Sequence, residues 1–271
     1  VLIFGHWGFP ELGVAGAAFG GFTGRAVSTL VGLTLLYSGR FSLKLLPSTS
    51  YRLNWALARR LLKIGVPSGI QGILRNGSSL VYLKFIGMTA LSTTAVAAYT
   101  IGNQMERILR SNGLAFGTTA TALVGQSLGA RDPDAAERNG WMTLLIAVFT
   151  NVLLGVPAIL FARQFMGLFT DAPGVIDIGV VYVLAVVLAE PFITAANASG
   201  GGLQGAGATM PPMYYTLVSQ WFVRLPVAYV LAFPLGYGIN GIWVALVVYG
   251  ALQAVLTVRK FGKGEWKTKV I

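Results

Sequence analysis

Stretches of apolar residues long enough to cross a lipid bilayer recur along the whole chain, and that repetition constrains the fold more than any single motif. A spanning helix needs about 20 predominantly apolar residues. Seven such stretches are read at about 12–37, 62–86, 96–127, 141–162, 175–200, 210–233 and 237–258. Hydrophobic residues make up 55% of the sequence and charged residues 11%. That leaves too little polar surface to solubilise so many buried helices, so the spacing predicts an all-α fold, a polytopic transmembrane helix bundle.

The stretch Val124-Gly-Gln-Ser-Leu-Gly-Ala-Arg-Asp-Pro-Asp-Ala-Ala-Glu-Arg138 sits between two of these spans. Asp132 reads as a helix N-cap with Pro133 at the first helical position, where a missing N–H is harmless. Asp134 and Glu137 add negative charge to the first turn, which suits the helix dipole. One helix is therefore expected to end near Gly129 and the next to begin at once, crossing back through the membrane.

The net charge of +11 does not indicate a nucleic-acid partner, because of where the charges lie. Lys and Arg gather in 40–63, in the hinge at Arg131 and Arg138, and in the tail at Arg259, Lys260, Lys263, Lys267 and Lys269. That is the positive-inside pattern. It places 40–61, 128–140, 201–209 and the C-terminus on the cytoplasmic side. It places 1–11, 87–95, 163–174 and 234–236 outside, where Arg163 is the exception. The expected location is the inner (plasma) membrane, crossed many times.

There is no cysteine, and His6 is the one histidine, so neither a thiolate cluster nor a histidine-based metal site is expected. No Walker A pattern or nucleophile–base constellation is present, and no enzymatic activity or cofactor is expected. The chain opens at Val1-Leu-Ile-Phe-Gly with no methionine and no signal-peptide layout, as a piece of a longer protein would.

Gly13, Gly16, Gly20 and Gly24 form a small-residue stripe of the kind that lets helices approach in lipid. Pro67, Pro157, Pro191 and Pro226 should bend or start helices. A weak internal repeat links Gly13-Val-Ala-Gly16, after Pro10, with Gly238-Ile-Asn-Gly241, after Pro234. Such parallel repeats mark two-lobed transporters. The spacing corresponds to six helices, so residues 1–46 read as the last helix of a preceding lobe plus a linker, and 47–271 as a second six-helix lobe.

Ionisable residues inside a membrane are costly unless paired or hydrated, which makes each one a functional candidate. They are Arg25, Arg75, Lys84, Glu106, Arg107, Arg110, Glu190 and Arg224. Glu106 and Arg110 are spaced to pair along one helix face. With Asn103, Gln104 and Asn112 they make the third span the expected lining of a wet cavity. Arg75 lies among Gln71, Asn76 and Ser78, and Glu190 precedes Pro191 with Asn197 two turns on. The candidate substrate and ion pathway is therefore Gln71, Arg75, Asn103, Gln104, Glu106, Arg110, Glu190 and Asn197. Glu106 and Glu190 are either coupling acids or counter-ions for the arginines. Lys84 and Arg25 reach for an interface, and Arg224 is read as a tie between helices. Tyr82, Tyr99, Tyr182 and Trp221 could stack on a bound cation.

Several short motifs then resemble the multidrug and toxic compound extrusion (MATE) family. They are Ile64-Gly-Val-Pro-Ser68, Val124-Gly-Gln-Ser-Leu-Gly-Ala130, Gly202-Leu-Gln-Gly-Ala-Gly207, Trp221-Phe-Val-Arg-Leu-Pro226 and Gly238-Ile-Asn-Gly-Ile-Trp243. They occur in the family's order over essentially the whole chain, matching its second half with the sixth helix of the first half in front. The resemblance implies twelve helices in two lobes around a cavity that opens alternately to either side. It implies export of drugs and organic cations against H⁺ or Na⁺ entry, with the lipid bilayer and the N-terminal lobe of the same protein as partners. One branch of the family holds a cation with a Glu on the seventh helix and an Asp on the tenth. The matching motifs put Arg75 and Ile193 at those positions, so the coupling acid is expected in the first lobe. A flippase for a lipid-linked oligosaccharide or another anionic lipid, with Arg75 and Arg110 on a pyrophosphate, is the alternative.

Overall fold

The computed structural model describes residues 13–38 and 54–267, in two units, Val1–Trp55 and Ala56–Ile271. His6, the Pro10 end of the repeat, the basic connection at 40–53 and Lys269 lie outside the described residues. In the first unit α1 (Gly13–Tyr37) is a single 25-residue helix. Thr23, Ser28, Thr29 and Thr34 each donate their hydroxyl to a carbonyl four residues back, which satisfies them without water.

The second unit contains α2 (Trp55–Gly87), α3 (Ser92–Gly129), α4 (Pro133–Leu160), the short α5 (Ala162–Gly167) and α6 (Pro173–Gly205). A sixth stretch follows as α7 (Met210–Leu217), a π-helical segment (Val218–Arg224) and α8 (Leu225–Ala232), and α9 (Gly238–Gly262) closes the unit. With α1, these stretches coincide with the seven expected spans. Four helices among the described residues are long and apolar enough to cross a membrane by composition: Ala18–Tyr37, Pro133–Leu160, Pro173–Gly205 and Gly238–Gly262. α2 and α3, at 33 and 38 residues, are also long enough but carry the intramembrane charges. The sixth stretch misses because the π segment divides it. The outer surface of the unit is apolar: Phe149, Leu153, Leu188 and Phe222 are each more than 60% exposed. Patches of that kind need lipid or a partner around them.

α3 and α6 form the closest-packed pair, and glycine makes that possible. Gly113, Gly117 and Gly125 of α3 face Thr194, Asn197, Gly201 and Gly205 of α6. A Cβ on Gly201 would overlap the carbonyl oxygen of Gly117, and one on Gly205 that of Thr121. At the same crossing the Thr121 hydroxyl donates to the Gly201 carbonyl at 2.9 Å. α4 packs against both helices, tied by the buried Asn151, whose amide donates to the Leu109 carbonyl at 3.1 Å. α9 covers the other side of α6. α2 joins through side chains: Tyr82 donates to the Ile242 carbonyl at 2.8 Å, and Trp221 to that of Leu74 at 2.9 Å.

The hinge is built as its residues dictate. α3 ends at Gly129, Arg131 takes the left-handed conformation (φ 62), and the Asp132 carboxylate caps α4 by accepting from Ala135 N–H at 2.8 Å. Val124, Ala136, Leu203, Ala206, Phe261 and Trp266 form one apolar cluster beside it. The hinge, the turn after α6 and the C-terminal tail therefore share one end of the unit, as the charge alternation requires. Lys267 donates there to Asp134 at 3.3 Å and to Glu137, and the bond to Glu137 holds its ammonium pKa above the usual range. Gly13 of α1 and Gly238 of α9 both take the left-handed conformation (φ 51 and 55).

Neighbouring glycines on α6 separate steric need from helix propensity. Gly201→Ala should lose about 1–3 kcal/mol or more, because backbone must move. A Cβ on Gly200 would meet ordinary contacts at 3.7 Å and beyond, so Gly200→Ala should be neutral or gain up to about 1 kcal/mol. Equal unfolding free energies for the two variants in detergent would refute the seam.

Candidate functional site

The α3–α6 seam places two acids beside one arginine. Glu106 on α3 is 2% exposed and fully engaged: it pairs with Arg110 one turn on, accepts from the Tyr182 hydroxyl, and accepts from Asn103 Nδ2 at 3.1 Å. Arg107 in turn donates to Asn103 Oδ1 at 3.2 Å. Glu190 on α6 is 1% exposed, and its nearest cation is Arg110 Nε at 3.7 Å. Neither of its carboxylate oxygens has a hydrogen-bond partner among the described residues, nor has the hydroxyl of Thr194 one turn on. Pro191 follows Glu190 inside α6, so the preceding turn also lacks one backbone bond. An ionised carboxylate buried without donors is expensive, and Arg110 offers Glu190 only a distant partner. Two acids sharing Arg110 thus differ in kind: Glu106 is held, and Glu190 is poised.

Two hollows open next to this cluster. The larger, about 120 Å³, is lined by Gln71, Arg75, Thr121, Asn197, Gln204 and Gln253 among others. The smaller, about 20 Å³, is lined by Arg75, Arg110, Arg224, Gln220, Tyr249 and Gln253 among others. They share Gln71, Arg75, Asn197 and Gln253, and among the described residues no carboxylate lines either one. Both exceed the space a water molecule needs. An amide chain runs along the wall: Gln204 donates to Gln71 at 3.0 Å, and Gln71 and Gln253 both donate to the Thr216 hydroxyl, at 2.9 and 3.3 Å.

The π-helical segment supplies the far wall. Pro226 offers no N–H to the carbonyl four residues back, and a wider turn accommodates the gap. The segment buries Ser219, Gln220 and Arg224. Gln220 accepts from Ser78 of α2 at 2.7 Å. The Arg224 guanidinium lies 3.8 Å from the centre of the Tyr82 ring and 4.9 Å from that of Tyr249. Tyr82, Tyr99, Tyr182 and Trp243 pack together behind it, with the Tyr182 and Trp243 rings 4.5 Å apart.

Of the residues expected along the pathway, Gln71, Arg75, Arg110 and Asn197 line the hollows. Glu106, Asn103 and Glu190 lie one layer behind them. Gln104 is on the exposed face of α3 and lines neither hollow. Asn112 reaches α4 instead, bonding Thr150 at 3.3 Å. Tyr82 receives Arg224, and Trp221 bonds backbone. Gln204, Thr216, Gln220, Tyr249 and Gln253 also line the hollows and are not among the expected residues, because the amides expected from the sequence are those flanking Arg75, Glu106 and Glu190. Amides isolated in otherwise apolar spans were the available signal.

Residues 67–230 match the model of the MatE family. The chain is 29% identical over 273 residues to an uncharacterized transporter of Bacillus subtilis, YisQ, covering 99% of this chain and 58% of that protein. It is 31% identical over 268 residues to a Brucella suis protein described as "Probable multidrug resistance protein NorM", covering 95% of this chain and 56% of the relative. The chain therefore spans less than two thirds of the length of these relatives. Its fold matches the outward-facing conformation of a multidrug resistance MATE family transporter with a TM-score of 0.87, at 17% identity, over 97% of this chain and 59% of the other. At that identity the likeness is one of fold.

Arg110 is the cation nearest both buried acids, so its removal should cost more than an ordinary surface change. Arg110→Met is expected to destabilise the folded protein by about 3–5 kcal/mol, the range for a buried charge left unpaired. Pairing with Glu190→Gln should restore part of that loss. Unfolding followed by tryptophan fluorescence measures both, and a loss under about 1 kcal/mol for Arg110→Met would contradict this account.

Proposed function

The chain belongs to the MatE family, and on that premise we propose that it forms the second six-helix lobe, with the last helix of the first, of a cation-coupled antiporter. The antiporter exports drugs and organic cations by alternating access. Its other partner is the N-terminal lobe of the same protein, which supplies the facing half of the cavity. The protein sits in the plasma membrane with the hinge and C-terminal tail in the cytoplasm, a reading supported by the basic residues gathered at that end.

The observation that carries the coupling reading is the Glu190 carboxylate, buried beside the hollows with no hydrogen-bond partner among the described residues and the Arg110 guanidinium in range. A proton is the simplest cation for that position. A guanidinium 3.7 Å away repels a second cation, whereas protonation leaves Arg110 to Glu106. With no carboxylate among the described residues that line either hollow, the positive charge of an organic cation is met by the first lobe. The family's cation site, with Arg75 and Ile193 at its positions in this chain, likewise leaves an acid to the first lobe, and Glu190 is the candidate within this half.

The test uses the full-length protein in proteoliposomes with a fluorescent organic cation under an imposed pH or Na⁺ gradient. The wild type should concentrate the cation against a proton gradient. Glu190→Gln, which carries the neutral form permanently, should lose at least tenfold in that concentrative transport while still equilibrating substrate. Wild-type concentration by the variant at every pH would remove Glu190 from coupling. Turnover of a lipid-linked sugar with neither gradient present would mark the protein as a flippase instead.

A further inference from the structure

The apolar surfaces that α4 and α9 turn outward both end, at the hinge end of the unit, in an arginine. On α4, Met142, Leu145, Phe149 and Val152 recur at helical spacing and are exposed, and Arg138 stands one turn before Met142. On α9, Val248 and Val255 are exposed, and Arg259 follows one turn on, away from Tyr249 and Gln253 of the smaller hollow. Trp141 joins the heads of the two stripes. Its ring lies 5.6 Å from that of Phe261, a Cβ on Gly262 would meet it at 3.4 Å, and its indole N–H donates to Glu137 at 3.4 Å. An apolar body with a polar tip suits a membrane interface. Arg138 precedes Trp141 by three residues, Arg259 precedes Gly262 by three, and Lys263 follows it, so all three cations stand within a turn of that contact. All three are exposed. The acids of this rim are committed elsewhere: Asp132 caps α4, Asp134 and Glu137 hold Lys267, and Glu265 holds Lys260. Arg138, Arg259 and Lys263 make no ion pair with a described residue, although Asp134 is spaced to pair with Arg138. The exposed Arg163, at the opposite end, is by contrast paired with Asp177 at 3.0 Å.

We propose that Arg138, Arg259 and Lys263 form a binding surface for the headgroup of an anionic phospholipid whose acyl chains lie along the α4 and α9 stripes. Charge and depth fix the occupant. The apolar side chains below the arginines accept hydrocarbon and offer nothing to a soluble ion. Guanidinium groups recognise phosphate by paired N–H donors. Their stems run over apolar surface while the charged ends reach the headgroup layer. Basic residues at a membrane surface attract anionic lipid by about 1 kcal/mol, or roughly fivefold, each. The lipid is a boundary partner and not cargo, since none of the three residues lines either hollow. A headgroup held by both arginines bridges α4 and α9 from outside, where Trp141 and Lys267 already join them. This rests on the reading of the unit as a membrane-embedded lobe.

The experiment places the full-length protein in bilayers with the same lipids in both leaflets and follows tryptophan quenching by lipids brominated on their acyl chains. The share owed to Trp141 is the difference between the wild type and Trp141→Phe, which keeps a ring against Phe261. Comparing brominated phosphatidylglycerol with brominated phosphatidylcholine gives their relative binding constant beside Trp141. It should be roughly ten to a hundred in favour of phosphatidylglycerol, and it should fall as salt is added. Arg138→Gln with Arg259→Gln should bring it down to about fivefold or less, and Arg138→Lys should keep most of it. Both arginines are exposed, so the double variant should melt with the wild type in phosphatidylcholine; a lower Tm there would assign them to the fold and overturn the proposal. A relative constant near one in the wild type, or one unchanged in the double variant, would overturn it as well. Displacement of the brominated lipid by inorganic phosphate would replace the lipid with a soluble anion. Neither substrate nor gradient is present, so failure here leaves the coupling role of Glu190 standing, and loss of that role leaves this result intact.

Discussion

Everything polar in this unit depends on how closely α3 and α6 approach. Helices in lipid have no hydrophobic drive toward each other, so van der Waals contact between backbones must supply the attraction. Gly113, Gly117, Gly201 and Gly205 remove the side chains that would hold the axes apart, and Thr121 adds a hydroxyl bond across the gap. That contact brings Glu106 and Arg110 of one helix to Glu190 of the other. A wider crossing would separate these groups and leave each to find water. The seam is thus the frame on which the electrostatics rest.

On that frame the two acids have opposite fates. Glu106 is fastened by an arginine, a tyrosine and an asparagine, so its role is to hold α3 to α6 and to occupy Arg110. Glu190 receives no donor from the described residues, only the field of a guanidinium already engaged. The arginines differ in the same way. Arg224 is seated on tyrosine rings, while Arg75 stands at the boundary of the two hollows. Satisfied groups build the wall, and unsatisfied ones mark where something is missing.

Much of this was legible in the residues. The hinge followed from Asp132 and Pro133, because N-cap chemistry is local. The spans followed from their length and apolar content, including α2 and α3, where composition alone is diluted by charge. The Glu106–Arg110 pair followed from helical spacing. The glycine seam did not, although Gly113, Gly117 and Gly125 recur at multiples of four: in a chain with 35 glycines, spacing cannot say which stripe faces a neighbour. The π segment was equally hidden, since Pro226 announces a break without its form. The amide chain from Gln204 to Thr216 joins helices far apart in sequence, and no local rule pairs them.

The end of the chain that carries the hinge has a consequence for motion. Trp266 stacks on Phe261, Phe261 meets Trp141, and Lys267 grips the first turn of α4. The tail is therefore a buckle across the rim, fastening the last helix to the fourth stretch of the bundle. A lobe buckled in this way turns as one piece at that end, so any pivoting within it must be taken up at softer joints, where Pro191 and the π segment interrupt the regular ladder.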